Sequence, residues 1–149
     1  MKILKIILVL LAIVLLISII SPKVISMEQI CFFEQTSSRM SRITEALKMF
    51  KLDNGTYPST KEGLKALVKN LNPKKYPNYA KDAYLDKLPT DSWKNPFIYI
   101  HYKTEKGDAF QLISFGADGK YGGEGEDEDI VYPPIKKRKL GFFEWFFQK

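Results

Sequence analysis

Residues 40–58 read MSRITEALKMFKLDNGTYP. Met40, Ile43, Leu47 and Phe50 recur at spacings of three, four and three, the stripe of an amphipathic helix. Asp53, Asn54 and Gly55 stop that helix, and Tyr57-Pro58 makes an extended turn. Upstream, Met27 to Leu52 holds neither glycine nor proline. Continued back to Ile3 with a kink at Pro22, the pattern predicts a stem over 3–52, about 75 Å long at 1.5 Å per residue. Such a stem is longer than a membrane span needs, so its second half must pack its stripe on a small head or on neighbouring copies.

The first half has its own character. Between Ile3 and Ile20 only Lys5 is charged and only Ser18 is otherwise polar. Eighteen residues reach about 27 Å, which nearly matches a hydrocarbon core of about 30 Å if Lys5 snorkels to the interface. Length therefore favours a transmembrane anchor over a cleaved signal peptide, for which a site after Ser26 is the alternative. With Lys2 and Lys5 on the cytoplasmic side, the rest of the chain is expected outside the membrane. The division is an anchor over 1–25, a head with the rest of the stem over 26–135, and a tail over 136–149.

Composition excludes several classes. Across 149 residues, 27% charged and 13% aromatic is too balanced for disorder, and one cysteine, Cys31, cannot make an intramolecular disulfide. The net charge of +6 is concentrated in the tail, where Lys136–Lys149 holds five basic residues against Glu144. The body is close to neutral, which argues against nucleic acid as a partner.

Downstream of the stem, Ser59 and Glu62 have capping-box spacing for a short helix burying Leu64, Leu67, Val68 and Leu71. Residues 72–91 read as loop, with Pro73, Pro77 and Pro89. Phe97–Lys103 and Ala109–Phe115 read as two strands turning at Gly107. The order is α+β. Then Gly116–Asp129 holds five of the nine glycines together with Asp118, Glu124, Glu126, Asp127, Glu128 and Asp129. Glycines turn carbonyls inward and carboxylates are hard oxygen donors, which suits calcium. EF-hand spacing is absent, and a solvated acidic loop is the alternative. His101 reads as a packed or surface residue, Cys31 as a small hydrophobe on the stem, and Trp93 as an anchor of its loop into the head. No nucleophile has a recognisable base, so neither an enzyme nor a small-molecule substrate is expected.

The run Ala46-Leu47-Lys48-Met49-Phe50-Lys51-Leu52-Asp53-Asn54-Gly55-Thr56-Tyr57-Pro58-Ser59-Thr60, with Glu62-Gly63-Leu64 and Ala66-Leu67-Val68, resembles the major pseudopilin of the type II secretion system, the general secretion pathway protein G family. Tyr84-Leu85, Lys87-Leu88-Pro89, Asp91, Trp93, Asn95-Pro96-Phe97 and Tyr99 are similar to its segment leading into the first strands, and Ser114 to Ile130 to its calcium loop. The resemblance implies a pilin-like fold: a long N-terminal helix, transmembrane in its first half and amphipathic in its second, with a small antiparallel sheet and a calcium loop. It implies Ca2+ as a structural ion, with Asp118, Asp127 and Asp129 as carboxylate ligands and carbonyls near Phe115 and Gly123 assisting. It implies a homo-oligomer through the stem helix, working with other secretion-system components at the inner membrane, with the head periplasmic or extracellular and no turnover of substrate.

Two departures stand out. The family begins with a basic leader cut before a phenylalanine, with a glutamate five residues into the mature chain. Met1 and Lys5 fall at those two positions, so the expectation is a divergent N-terminus without the prepilin leader motif. A membrane-anchored, non-polymerising, calcium-stabilised binding module derived from a pseudopilin is the alternative function, and a DNA-uptake pseudopilin a third. The tail sets Lys136-Lys137-Arg138-Lys139 before Phe142, Phe143, Trp145, Phe146 and Phe147, which suits an anionic membrane surface, a docking peptide for another component, or aromatics folded back on the head.

Overall fold

The computed structural model describes the backbone of residues 2–134 and the side chains of residues 5–16 and 27–134. The stem is one helix, α1 (Lys2–Asn54), running through Pro22. The expected stripe is its buried face: Met40, Ile43, Leu47 and Phe50 are essentially inaccessible, joined by Ala46 and the buried hydroxyls of Thr36 and Thr44.

A turn of 3-10 helix over Gly63–Leu67 replaces the expected short α-helix. The capping box is real: Ser59 N donates to Glu62 Oε2 at 2.8 Å, and the Ser59 hydroxyl meets the same oxygen at 2.6 Å. It launches only this turn, which buries Leu64, Ala66 and Leu67 and leaves Leu71 exposed. Eclipsed i, i+3 positions make longer runs of this helix unfavourable, and Tyr84 and Leu85 donate their N–H groups to the Leu67 carbonyl at 2.9 and 3.0 Å, so the chain is tied off there.

Glu62 also accepts from Tyr76 Oη at 2.7 Å and pairs with Lys75 Nζ at 3.0 Å. Burial pushes its carboxyl up, but the bonds from Ser59, Tyr76 and Lys75 outweigh that and hold it at about 2. A depressed pKa stabilises above the unfolded value and is lost as pH falls through the folded one. Acid titration is therefore expected to remove up to about 3 kcal/mol between pH about 4.5 and about 2, and Glu62→Gln should flatten that limb of the melting-temperature profile.

The strands follow the expected hairpin with small shifts, β1 (Ile98–Thr104) and β2 (Gly107–Ser114) pairing antiparallel about Glu105-Lys106. A third strand, β3 (Ile130–Tyr132), pairs antiparallel with β2, Ile113 opposite Val131. The sheet order is β1-β2-β3. One face, with Tyr99, Phe110 and Leu112, shares a core with the stem stripe. The other carries Ile100 and Ile113, with Ile98, Tyr102, Phe115 and Val131 packed beside them.

The 72–91 segment is ordered by aromatic packing. Tyr76, Tyr84 and Tyr79 ring Phe50 at 4.9, 5.3 and 6.0 Å between centroids. Tyr84 Oη donates to Asp53 Oδ2 and accepts from Asn54 Nδ2, both at 2.9 Å, so the end of the stem is capped by a tyrosine.

Among the described residues, no helix is long and apolar enough to cross a membrane. The side chains of residues 1–4 and 17–25 within the expected anchor, and the tail over 136–149, lie outside the described residues. Cys31, on the stem, is exposed.

Candidate functional site

Beside the apolar stripe, a polar clasp fastens the stem to the head. Asp91 is fully buried, and its Oδ1 accepts the N–H groups of Trp93 at 3.0 Å and Asn95 at 2.7 Å while Oδ2 accepts the Ser114 hydroxyl at 2.7 Å. This knots the segment before β1 onto the end of β2. Arg39 Nη1 on the stem donates to the carbonyls of Thr90 at 3.1 Å and Asp91 at 2.7 Å. One turn earlier, Thr36 Oγ1 bonds Ser92 Oγ at 2.9 Å, and Ser92 Oγ donates to the Phe32 carbonyl at 2.9 Å. Trp93 completes the clasp against Phe32 and Phe33, 5.7 and 5.8 Å between centroids, so it anchors its loop on the stem and not inside the head.

The acidic loop hangs from this knot. Asn95 Nδ2 donates to the Gly116 carbonyl at 2.8 Å, and Ala117 N bonds the Glu126 carbonyl at 2.9 Å, closing the loop on itself. Gly116 and Gly123 sit where no side chain fits: a Cβ would lie 2.5 Å from the carbonyl oxygens of Glu126 and Asp127 respectively, at φ of +60° and +99°. A short 3-10 turn over Gly125–Asp127 leads to β3, with Gly125 beside Gln29 of the stem.

The expected ligands fall within this loop without forming a closed cage. Asp127 lies against Gly123. Asp129 Oδ2 accepts Gly122 N at 3.0 Å, while its Oδ1 is buried and unpartnered. Asp118 Oδ1 accepts Lys120 N at 2.9 Å. Burial pushes the Asp129 carboxyl above its usual range; the Gly122 N–H opposes this, and Asp118 and Glu128 reinforce it. Phe115 begins the loop with its ring 6.3 Å from Tyr121. Among the described residues, no three histidine, cysteine, aspartate or glutamate side chains form a group that could hold a metal ion. The donor set nevertheless fits calcium chemically: hard oxygens throughout, a buried carboxylate oxygen lacking a partner, and glycines admitting backbone at close approach.

His101, the single histidine, faces Asp108 across the hairpin with Nε2 3.5 Å from Oδ1. Thr56 donates to the other Asp108 oxygen at 2.9 Å. This is a packed surface pair tying the stem's exit loop to β2.

Comparison with known proteins decides what this arrangement belongs to. The family described as type II secretion system (T2SS), protein G matches residues 23–133. The chain belongs to this protein G family. Type II secretion system core protein G of Pseudomonas aeruginosa is 45% identical over 120 residues, covering 78% of this chain and 81% of that one. Core protein G of Escherichia coli is 34% identical over 137 residues, covering 91% of each. Among solved structures, the major pseudopilin from the type 2 secretion system of enterohaemorrhagic E. coli superposes with a TM-score of 0.60 at 27% identity, covering 72% of this chain and 91% of that one. The fold of this protein G family member is thus pilin-like, a long helix with a small antiparallel sheet. With relatives named as secretion core proteins and a pseudopilin, it is a structural protein and not an enzyme.

Asp91 and Asn95, which organise both the clasp and the loop, carried no chemical signal in sequence beyond their place in the family-like block. Only the pairing of a fully buried carboxylate with three donors reveals their work.

Proposed function

We propose that this chain is a structural pseudopilin subunit of a type II secretion system, anchored at 1–25 in the inner membrane with a periplasmic head, whose stem packs beside those of other copies into a pseudopilus. The observation that carries the reading, beside the family match, is the division of labour around α1. One stripe is consumed by the head, while Met27, Ile30, Met49 and Leu52 remain 53–77% exposed for neighbours. Cross-linking in native membranes is expected to give a ladder of homo-oligomers. A single adduct with a different protein favours the non-polymerising module.

Calcium belongs to this proposal as a structural ion. Asp118, Asp127 and Asp129 would hold it with carbonyls near Phe115 and Gly123, and it would offset the repulsion among carboxylates that otherwise burdens the loop. At a hundredfold excess over its dissociation constant, an ion bound only by the folded state stabilises by about 2.7 kcal/mol. Asp118→Ala with Asp127→Ala is expected to bring the melting temperature in calcium down to that of the chelated protein. An unchanged gap between calcium and chelator removes the site.

A further inference from the structure

Both faces of the sheet are apolar, yet the stem covers one. An antiparallel sheet commonly has one solvated face, read as alternation of apolar and polar residues. Here the face turned from the stem presents Ile98, Ile113 and Val131 in one cross-strand row, Ile100 beside Gln111 in the next, and Tyr102 beyond. Ile100 and Ile113 are only 3% and 2% exposed, and Gln111 is fully buried. Among the described residues, the partly buried hydrophobic side chains packed on this pair are Ile98, Tyr102, Phe115 and Val131, strand and loop neighbours of the same sheet. Neighbours in a row flank one another but do not roof the row.

We propose that residues 135–149 of the same chain cover this face, docking their aromatic side chains on Ile98, Ile100, Ile113 and Val131. The exit of the chain supports this occupant. The polypeptide leaves β3 at Tyr132 on the sheet's edge, and Gln111 Nε2, from the middle strand of that same face, donates to the Pro133 carbonyl at 2.8 Å. The chain is thereby drawn toward the apolar rows where it leaves the sheet. The fifteen residues beyond Pro134 include Ile135, Leu140, Phe142, Phe143, Trp145, Phe146 and Phe147. Three strands spaced about 4.8 Å apart are crossed by a few residues at about 3.3 Å each, so reach is ample.

The test is photo-cross-linking in the full chain reconstituted as single copies in zwitterionic nanodiscs, with Trp145→benzoylphenylalanine. Intrachain adducts to the peptides over 98–102 or 111–115, undiminished on dilution, are the expected result. Adducts to lipid that grow with anionic lipid assign the tail to the membrane, adducts that vanish on dilution assign the face to a second copy, and adducts confined to the stem place the tail elsewhere. Each of these overturns the proposal. As a second measurement, Ile98→Cys in a Cys31→Ser background is expected to react with maleimide at least tenfold faster when Phe142, Phe143, Trp145, Phe146 and Phe147 are changed to serine, with Tyr132→Cys on the stem-side face unchanged. Equal rates at position 98 also overturn it.

Discussion

Asp91→Ala is expected to destabilise the head by about 3 kcal/mol, a fall in melting temperature of about 10 °C, with no change in what the stem itself contacts along its stripe. The carboxylate is fully buried and satisfies two backbone N–H groups and one hydroxyl. Truncation strands all three donors away from water, and each unsatisfied buried group costs about 1–3 kcal/mol. The damage should spread, because the carbonyls of Thr90 and Asp91 receive Arg39 from the stem. Asp91→Asn separates this account from simple loss of volume. Its remaining oxygen can accept the Trp93 and Asn95 N–H groups while its amide donates to the Ser114 hydroxyl, so it should cost about 1 kcal/mol. Equal losses for the two variants in thermal unfolding would refute the knot.

Gly116→Ala is the second large effect, about 3 kcal/mol. The new Cβ would lie 2.5 Å from the Glu126 carbonyl and 2.7–2.8 Å from the backbone of Asp127, at φ of +60°. Backbone cannot swing aside as a side-chain tip does, so the bond from Ala117 N to the Glu126 carbonyl must open. Gly122→Ala is the control. It too has positive φ, +96°, but nothing within 4 Å of its Cβ, so it bears conformational strain alone and should cost about 1 kcal/mol. Melting both in chelator keeps the comparison free of any ion. Indistinguishable variants would mean that the loop does not close on Gly116.

The stem was readable because period carries it: Met40, Ile43, Leu47 and Phe50 announce a helix face, and that face is the buried one. The hairpin was readable from alternation. β3 was not, since three residues are too few for a period to show and Ile130–Tyr132 is held by its register with β2. The helix expected after Ser59 failed for a different reason: a cap signals a start, while length is set by contacts further along the chain, here the tie from Tyr84 and Leu85 to Leu67. For the loop, glycine and carboxylate counts marked the region. They could not show that Asp129 is the buried carboxylate or that Asn95, twenty-one residues before Gly116, holds the loop's first carbonyl.

The clasp at Phe32, Thr36 and Arg39 also sets angular precision. From Lys2 to Cys31 the helix extends about 45 Å beyond it, at 1.5 Å per residue. A tilt of about 6° at the clasp carries the far end about 5 Å sideways, half of the roughly 8–10 Å that separates packed helix axes. Two hydroxyls, one guanidinium and an indole therefore work with the buried stripe to set the aim of the whole stem, and small errors in the head's grip are magnified toward its far end.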